Sequence, residues 1–155
     1  MTMTAIAQPV ADFTLPATGG RTFHLAAERG HALLLYFYPK DNTPGCTAET
    51  AQFRDLHAQF SALGCAVYGI SRDSLKSHEN FKAKLGLPFE LLSDAEEAAC
   101  RQFDVIKMKK LYGKEVRGIE RSSFLIDGDG VLRYVWRALK ADGHAAEVLA
   151  ILKSL

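Results

Sequence analysis

The sequence predicts an α/β protein with a central mixed β-sheet flanked by helices and extended by an N-terminal β-hairpin. Three observations carry this. HALLLYFY (residues 31–38) and CAVYGIS (65–71) are unbroken apolar runs of strand length, the pattern of strands buried on both faces. The stretch between them repeats apolar residues at helical spacing, so the three form a βαβ unit with parallel strands and a right-handed crossover. The last third reads strand–strand–helix, which adds antiparallel pairing to the same sheet.

Each element has its own signal. DFTLPATGGRTFHL places two short strands around the Gly19-Gly20 turn. In the first long helix Phe53, Leu56, Phe60 and Leu63 recur at steps of three and four, and Gly64 closes it. SLKSHENFKAKLG is a second helix, with Leu75, Phe81 and Leu85 on its apolar side and Gly86 as its stop. FELL is a short strand. Ser93 to Glu96 has capping-box spacing and opens a short helix through Phe103. SSFLID and VLRYVW flank a Gly128-Asp129-Gly130 turn as a hairpin. The closing helix, residues 143–155, puts Val148, Ile151, Leu152 and Leu155 on one face.

At 155 residues a single domain spanning 1–155 is expected, with enough chain to bury a core unaided. Hydrophobic residues are 48% and charged residues 24%, ordinary for a globular chain, and the net charge of +1 points to neither a nucleic-acid nor a membrane partner. Lys107, Lys109, Lys110 and Lys114 read as a solvated loop face. The N-terminal residues lack the charged and apolar regions of a signal peptide. Three cysteines without CxxC spacing argue against a disulfide framework and a zinc site, and fit a reducing cytoplasm. No metal or cofactor is expected.

One cysteine stands apart. In YFYPKDNTPGCTAET, Cys46 follows a polar turn beyond the carboxyl end of a buried strand, where open α/β sheets tend to place ligands. Thr43 is placed to cap the helix through its hydroxyl, and Pro44 suits the first helical position. Cys46 then lies in the first turn, at the positive end of the helix dipole. A thiolate is the nucleophile, and an ordinary thiol with a pKa of about 8.5 is only a few per cent ionised at neutral pH. Bringing a thiol to a pKa of about 6 takes roughly 3.4 kcal/mol, whereas a helix N-terminus supplies ~0.3–1 kcal/mol and at best ~2. A second cation from elsewhere in the chain is required; Arg72, Arg117 and Arg121 are among the candidates. Cys65 and Cys100 read as packed apolar residues. The five histidines, His78 and His144 among them, read as surface or capping groups rather than partners of a cysteine.

With these residues in view, YFYPKDNTPGCTAETAQFRD resembles the active-site segment of peroxiredoxins of the PrxQ, or bacterioferritin comigratory protein, type. The signature Pro-x-x-x-Thr-x-x-Cys is met by Pro39, Thr43 and Cys46. YGKEVRGIERSSFLID, ISRDSLKSHENF and the closing GHAAEVLAILKSL extend the resemblance from about residue 5 to the end. It implies a thioredoxin-like fold and thiol-dependent reduction of hydrogen peroxide and organic hydroperoxides. It assigns Arg121 as the missing cation, Thr43 as a hydrogen-bonding group at the peroxide, Pro39 as a wall against water, and Glu49 as a support of the network. The positions where such proteins carry a second, resolving cysteine are Ala51 and Lys82 here. A one-cysteine cycle is therefore expected, recycled by a small thiol or a thioredoxin- or glutaredoxin-type protein, with the chain a monomer. The alternatives are a two-cysteine cycle in which Cys100 resolves and thioredoxin reduces, a thioredoxin-like disulfide exchanger, and a non-catalytic holdase. Insulin reduction without peroxidase activity would mark the exchanger, and an unreactive Cys46 the holdase.

Overall fold

The computed structural model describes residues 4–155; Met1, Thr2 and Met3, which begin the segment read for a signal peptide, lie outside them. In chain order the elements are β1 (Thr14–Ala17), β2 (Arg21–His24), β3 (Ala32–Phe37), α1 (Pro44–Ala62), β4 (Cys65–Ser71), α2 (Leu75–Leu85), β5 (Leu91–Ser93), α3 (Ala98–Gln102), β6 (Ile106–Leu111), β7 (Lys114–Ile119), β8 (Ser122–Ile126), β9 (Leu132–Trp136) and α4 (His144–Lys153). Seven strands form one mixed sheet in the order β2-β1-β5-β4-β3-β8-β9. β3, β4 and β5 run parallel, β8 and β9 pair antiparallel beside β3, and the β1–β2 hairpin joins the other edge through Ala17 and Leu92.

β3 explains its own unbroken apolar run. Leu33, Leu35 and Phe37 enter one core with Phe103, Phe124 and Cys100, while Leu34, Tyr36 and Tyr38 enter a second with Phe53, Phe60 and Cys46. Alternate side chains point to opposite faces, and both faces are covered, so no polar residue is tolerated. Gly69 of β4 lies opposite Tyr36, and a Cβ there would come within 2.7 Å of the tyrosine ring. The glycine makes room for Tyr36, which stacks on Phe53 at 4.7 Å and on Tyr38 at 5.6 Å. No helix of the described residues is long and apolar enough to cross a membrane.

Four expectations need correction. Ser93 does not cap α3, because it is the last residue of β5. Asp94 takes that part, accepting from the backbone N–H groups of Ala99 and Cys100 at 3.2 and 2.7 Å. Lys107, Lys109, Lys110 and Lys114 lie not on a loop but on the β6–β7 hairpin, whose alternation of charged and apolar residues was masked by the density of lysines. Leu155 lies past the end of α4 and is 66% exposed; Leu149 takes its place on the buried face with Ala145, Val148 and Leu152. His78 and His144 are buried, not surface groups. His144 donates to or accepts from Ser123 Oγ at 2.8 Å and packs edge-on against Trp136.

Candidate active site

The site forms where β3 ends and α1 begins. After Tyr38 the chain turns through residues 39–43, with Asn42 in the left-handed region (φ 62°), and Pro44 starts the helix. Cys46 is the third residue of α1 and is 1% exposed. Its position at the positive end of a 19-residue helix is the one expected from the capping pattern.

Thr43 does occupy the N-cap, with extended backbone angles, and its carbonyl accepts from Thr47 N. Its hydroxyl does not cap the helix, contrary to expectation. It donates instead to the Lys40 carbonyl at 2.8 Å, closing the turn on itself, so that its oxygen can act only as an acceptor toward a further partner. Pro39 is half-buried directly after the core residue Tyr38.

Arg121 arrives from the opposite end of the sequence, in the residue before β8. β8 pairs antiparallel with β3, with Ser122 opposite Phe37, so the start of β8 lies beside the end of β3 and brings Arg121 to the cysteine. Its Nη2 donates to Cys46 Sγ at 3.2 Å and its Nη1 to Glu49 Oε1 at 2.7 Å. One guanidinium thus bridges the thiol and the carboxyl that lies a helical turn beyond it. Glu49 is wholly buried, and its second oxygen, Oε2, finds no partner. Burial pushes the Glu49 carboxyl up to about 7, against the pull of Arg121. Arg121 itself stays charged: burial disfavours its charge, but Glu49 and Cys46 outweigh that and raise its pKa. The absence of a side chain at Gly45 is part of the arrangement, because a Cβ there would lie 3.2 Å from Arg121 Nη2.

Of the other two arginine candidates, Arg117 and Arg72 both pair with Glu97, at 2.5 and 3.0 Å, and neither bonds Cys46. Lys109 comes close from the β6–β7 hairpin and donates to the Ile119 carbonyl; burial and the charge of Arg121 lower its pKa, while Cys46 acts in the opposite sense. Sequence reasoning missed it, because a lysine in a basic run has no local signature.

The remaining cysteines are packed. Cys65 opens β4 opposite Ala32, at the far end of the strands from Cys46. Five residues of strand, about 17 Å at ~3.3 Å per residue, separate Ala32 from Phe37. Burial drives the Cys65 thiol up to about 12. Cys100 is 0% exposed in the core on the opposite face of the sheet from Cys46, and burial with the nearby Asp94 raises its pKa strongly. Ala51 lies mid-helix in α1, and Lys82 of α2 pairs with Glu90 at 2.5 Å.

A network that the sequence did not announce supports the turn before Cys46. Asp41 accepts from Tyr38 Oη at 2.6 Å and Ser77 Oγ at 2.8 Å, and lies 2.7 Å from His78 Nδ1. Asp73 accepts from Asp41 N at 3.0 Å and Ser71 Oγ at 2.5 Å. Among the described residues Asp41, Asp73 and His78 form the one cluster with metal-ligand spacing, but its oxygens already accept from hydroxyl and N–H donors that an ion would have to displace.

With this geometry established, comparison with known proteins is decisive. The AhpC/TSA family profile matches residues 6–135. The chain belongs to the AhpC/TSA family. Within it, the Xanthomonas campestris protein named Peroxiredoxin Bcp is 51% identical across 99% of this chain and 98% of its own length. The Bacillus subtilis Peroxiredoxin Bcp is 47% identical over 97% and 96%. Among solved structures, a cysteine-to-serine mutant of Xylella fastidiosa PrxQ superposes with a TM-score of 0.93 at 42% identity, covering 99% of this chain and 98% of that one. The X. campestris bacterioferritin comigratory protein, described for its alkyl peroxide reduction, superposes at 0.87 with 51% identity over 92% and 90%. This AhpC/TSA member is a PrxQ-type peroxiredoxin with the thioredoxin-like fold and is a thiol-dependent peroxidase.

Proposed function

We propose that this peroxiredoxin reduces hydrogen peroxide and organic hydroperoxides at Cys46 and is recycled by an external thiol in a one-cysteine cycle. The observation that carries the reading is the Arg121 guanidinium, which donates to Cys46 Sγ with one nitrogen and to the buried Glu49 with another. Arg121 supplies the cation that the helix dipole alone lacks. The Cys46 thiolate attacks one peroxide oxygen; the O–O bond breaks, the sulfur becomes a sulfenic acid, and the other oxygen leaves with a proton as alcohol or water. Arg121 and the first-turn N–H groups of α1 face the charge that develops on the leaving oxygen. Thr43 offers its lone pairs to the peroxide O–H, Pro39 shields the thiol from water, and Glu49 holds Arg121 in place.

The positions of the other thiols support this reading of the rest of the cycle. A disulfide needs Cα atoms within about 7 Å. Cys65 lies a strand length away, and Cys100 is buried beyond the sheet. An external thiol therefore attacks the sulfenic acid, releasing water, and a second thiol releases the mixed disulfide as free Cys46. A small thiol, a thioredoxin-type protein and a glutaredoxin-type protein all fit this chemistry. Oxidation by one equivalent of peroxide, followed by dimedone trapping and unreduced peptide mapping, tests it. The reading expects the dimedone adduct on Cys46. A stoichiometric Cys46–Cys100 disulfide would replace it with a two-cysteine cycle. The protein is further expected to act as a monomeric single domain in the cytoplasm, which sedimentation and cell fractionation would test.

A further inference from the structure

We infer that His78 is a positioning residue for the peroxide step, acting through Asp41 to fix the 39–43 turn over Cys46. The inference rests on the reading of Cys46 as the nucleophile. His78 lies in α2, far from the thiol in sequence, and is 0% exposed. Its two ring nitrogens face different acceptors: Nδ1 lies 2.7 Å from Asp41 Oδ2, and Nε2 lies 2.9 Å from the Leu92 carbonyl of β5. A carbonyl and a carboxylate both accept, so both nitrogens donate and the ring is an imidazolium paired with a carboxylate. A buried pair of this kind is weak evidence of stability but costly to break, because the survivor is left as an unpaired buried charge.

The pair is placed to act on the site. Asp41 stands midway between Pro39 and Thr43, and its N–H and both carboxylate oxygens are held. Its N–H is held by Asp73, Oδ1 by Tyr38, and Oδ2 by both Ser77 and His78. Tyr38 in turn hydrogen-bonds through its backbone N–H to Ile70 of β4. The turn is thereby tied to β4, to β5 and to the first turn of α2 at once. Within it, Thr43 closes on Lys40 and delivers the chain into Pro44, so the position of Asp41 sets the orientation of the first turn of α1. A peroxide is small enough to react at a thiol that is 1% exposed, whereas an incoming thiol needs the turn to loosen. The His78–Asp41 pair therefore promotes the first half of the cycle and does not assist the second.

The test separates the two halves. The wild type, His78→Gln, Asp41→Asn and the double variant are mixed with hydrogen peroxide in single turnover, and the loss of free Cys46 thiol is followed by rapid quench. The oxidised proteins are then mixed with dithiothreitol and the recovery of the thiol is timed. Wild-type oxidation at Cys46 reports on the nucleophile assignment independently of the variants. Each single variant should slow the peroxide step at least tenfold and leave the dithiothreitol step unchanged or faster. The double variant should regain most of the loss, since two neutral amides restore matched donors and acceptors without a lone charge. Folded single variants within twofold of wild type in the peroxide step would overturn the inference. So would equal slowing of both steps with no recovery in the double variant, the mark of general destabilisation. If the single variants do not fold, Ser77→Ala decides, because it removes one donor to the same oxygen without stranding a charge. A two- to fivefold slower peroxide step with an unchanged dithiothreitol step supports the inference, and an unchanged peroxide step refutes it.

Discussion

Arg121 is the residue on which the site turns, and its two bonds make separate predictions. Removing it in Arg121→Ala deletes a charge-assisted hydrogen bond to the sulfur, of the kind worth ~1.5–3 kcal/mol, so the peroxide rate constant should fall about 10- to 100-fold. Arg121→Lys should recover only part, because one ammonium cannot reach both Cys46 and Glu49 in the geometry of a planar fork. Stopped-flow peroxide consumption at neutral pH distinguishes these outcomes. Glu49 is a different case, because burial raises it to about 7 from an ordinary 4.5. In the unfolded chain this carboxyl ionises as pH passes its ordinary value, while the folded protein keeps its proton until near 7. Its contribution to stability is therefore greatest below 4.5 and is lost as pH rises toward 7, by up to about 1.4 kcal/mol per pH unit. Glu49→Gln, which keeps an acceptor for Arg121, should flatten that slope. Urea unfolding of both proteins at pH 4.5 and pH 7 measures it; parallel pH dependences would contradict the account of Glu49.

At the scale of elements, the first turn of α1 is where sequence and structure agree most closely and where they also part. Pro44 and the turn before it placed the helix start and Cys46 correctly, because a missing N–H and a restricted pre-proline residue are local constraints. The cap was misassigned because the Thr43 hydroxyl had a competing acceptor at Lys40, and such competition is settled by turn geometry, not by residue type. His78 was misread for a similar reason: its partners lie 37 and 14 residues away, and no local pattern reports them. Arg121 could be singled out only by resemblance, since its approach depends on the pairing of β3 with β8. The same turn gives an element-scale prediction. Gly45→Ala improves helix propensity by up to ~1 kcal/mol, yet its Cβ presses on Nη2 of a guanidinium already held at both ends, by Cys46 and by Glu49. Thermal unfolding should show stability unchanged or raised, while the peroxide rate falls several-fold. A variant as active as wild type would mean that Arg121 yields without cost.

Across the whole molecule, the sheet divides the cysteines as it divides the core. The two apolar runs and the terminal hairpin made the sheet legible, because strands buried on both faces leave an unmistakable record. The β6–β7 hairpin, half-exposed and rich in lysine, left almost none. Nor does sequence say which face of a sheet a cysteine enters, and that placement is what separates Cys46 from Cys100 and strand length what separates it from Cys65. Only Cys46 combines a helix N-terminus with a guanidinium at its sulfur. The most direct test of this account is single-turnover consumption of hydrogen peroxide by Cys46→Ser, Cys65→Ala and Cys100→Ala beside the wild type. The account predicts no stoichiometric consumption by Cys46→Ser and near wild-type rates for the other two; peroxide consumed at the wild-type rate by Cys46→Ser would contradict it.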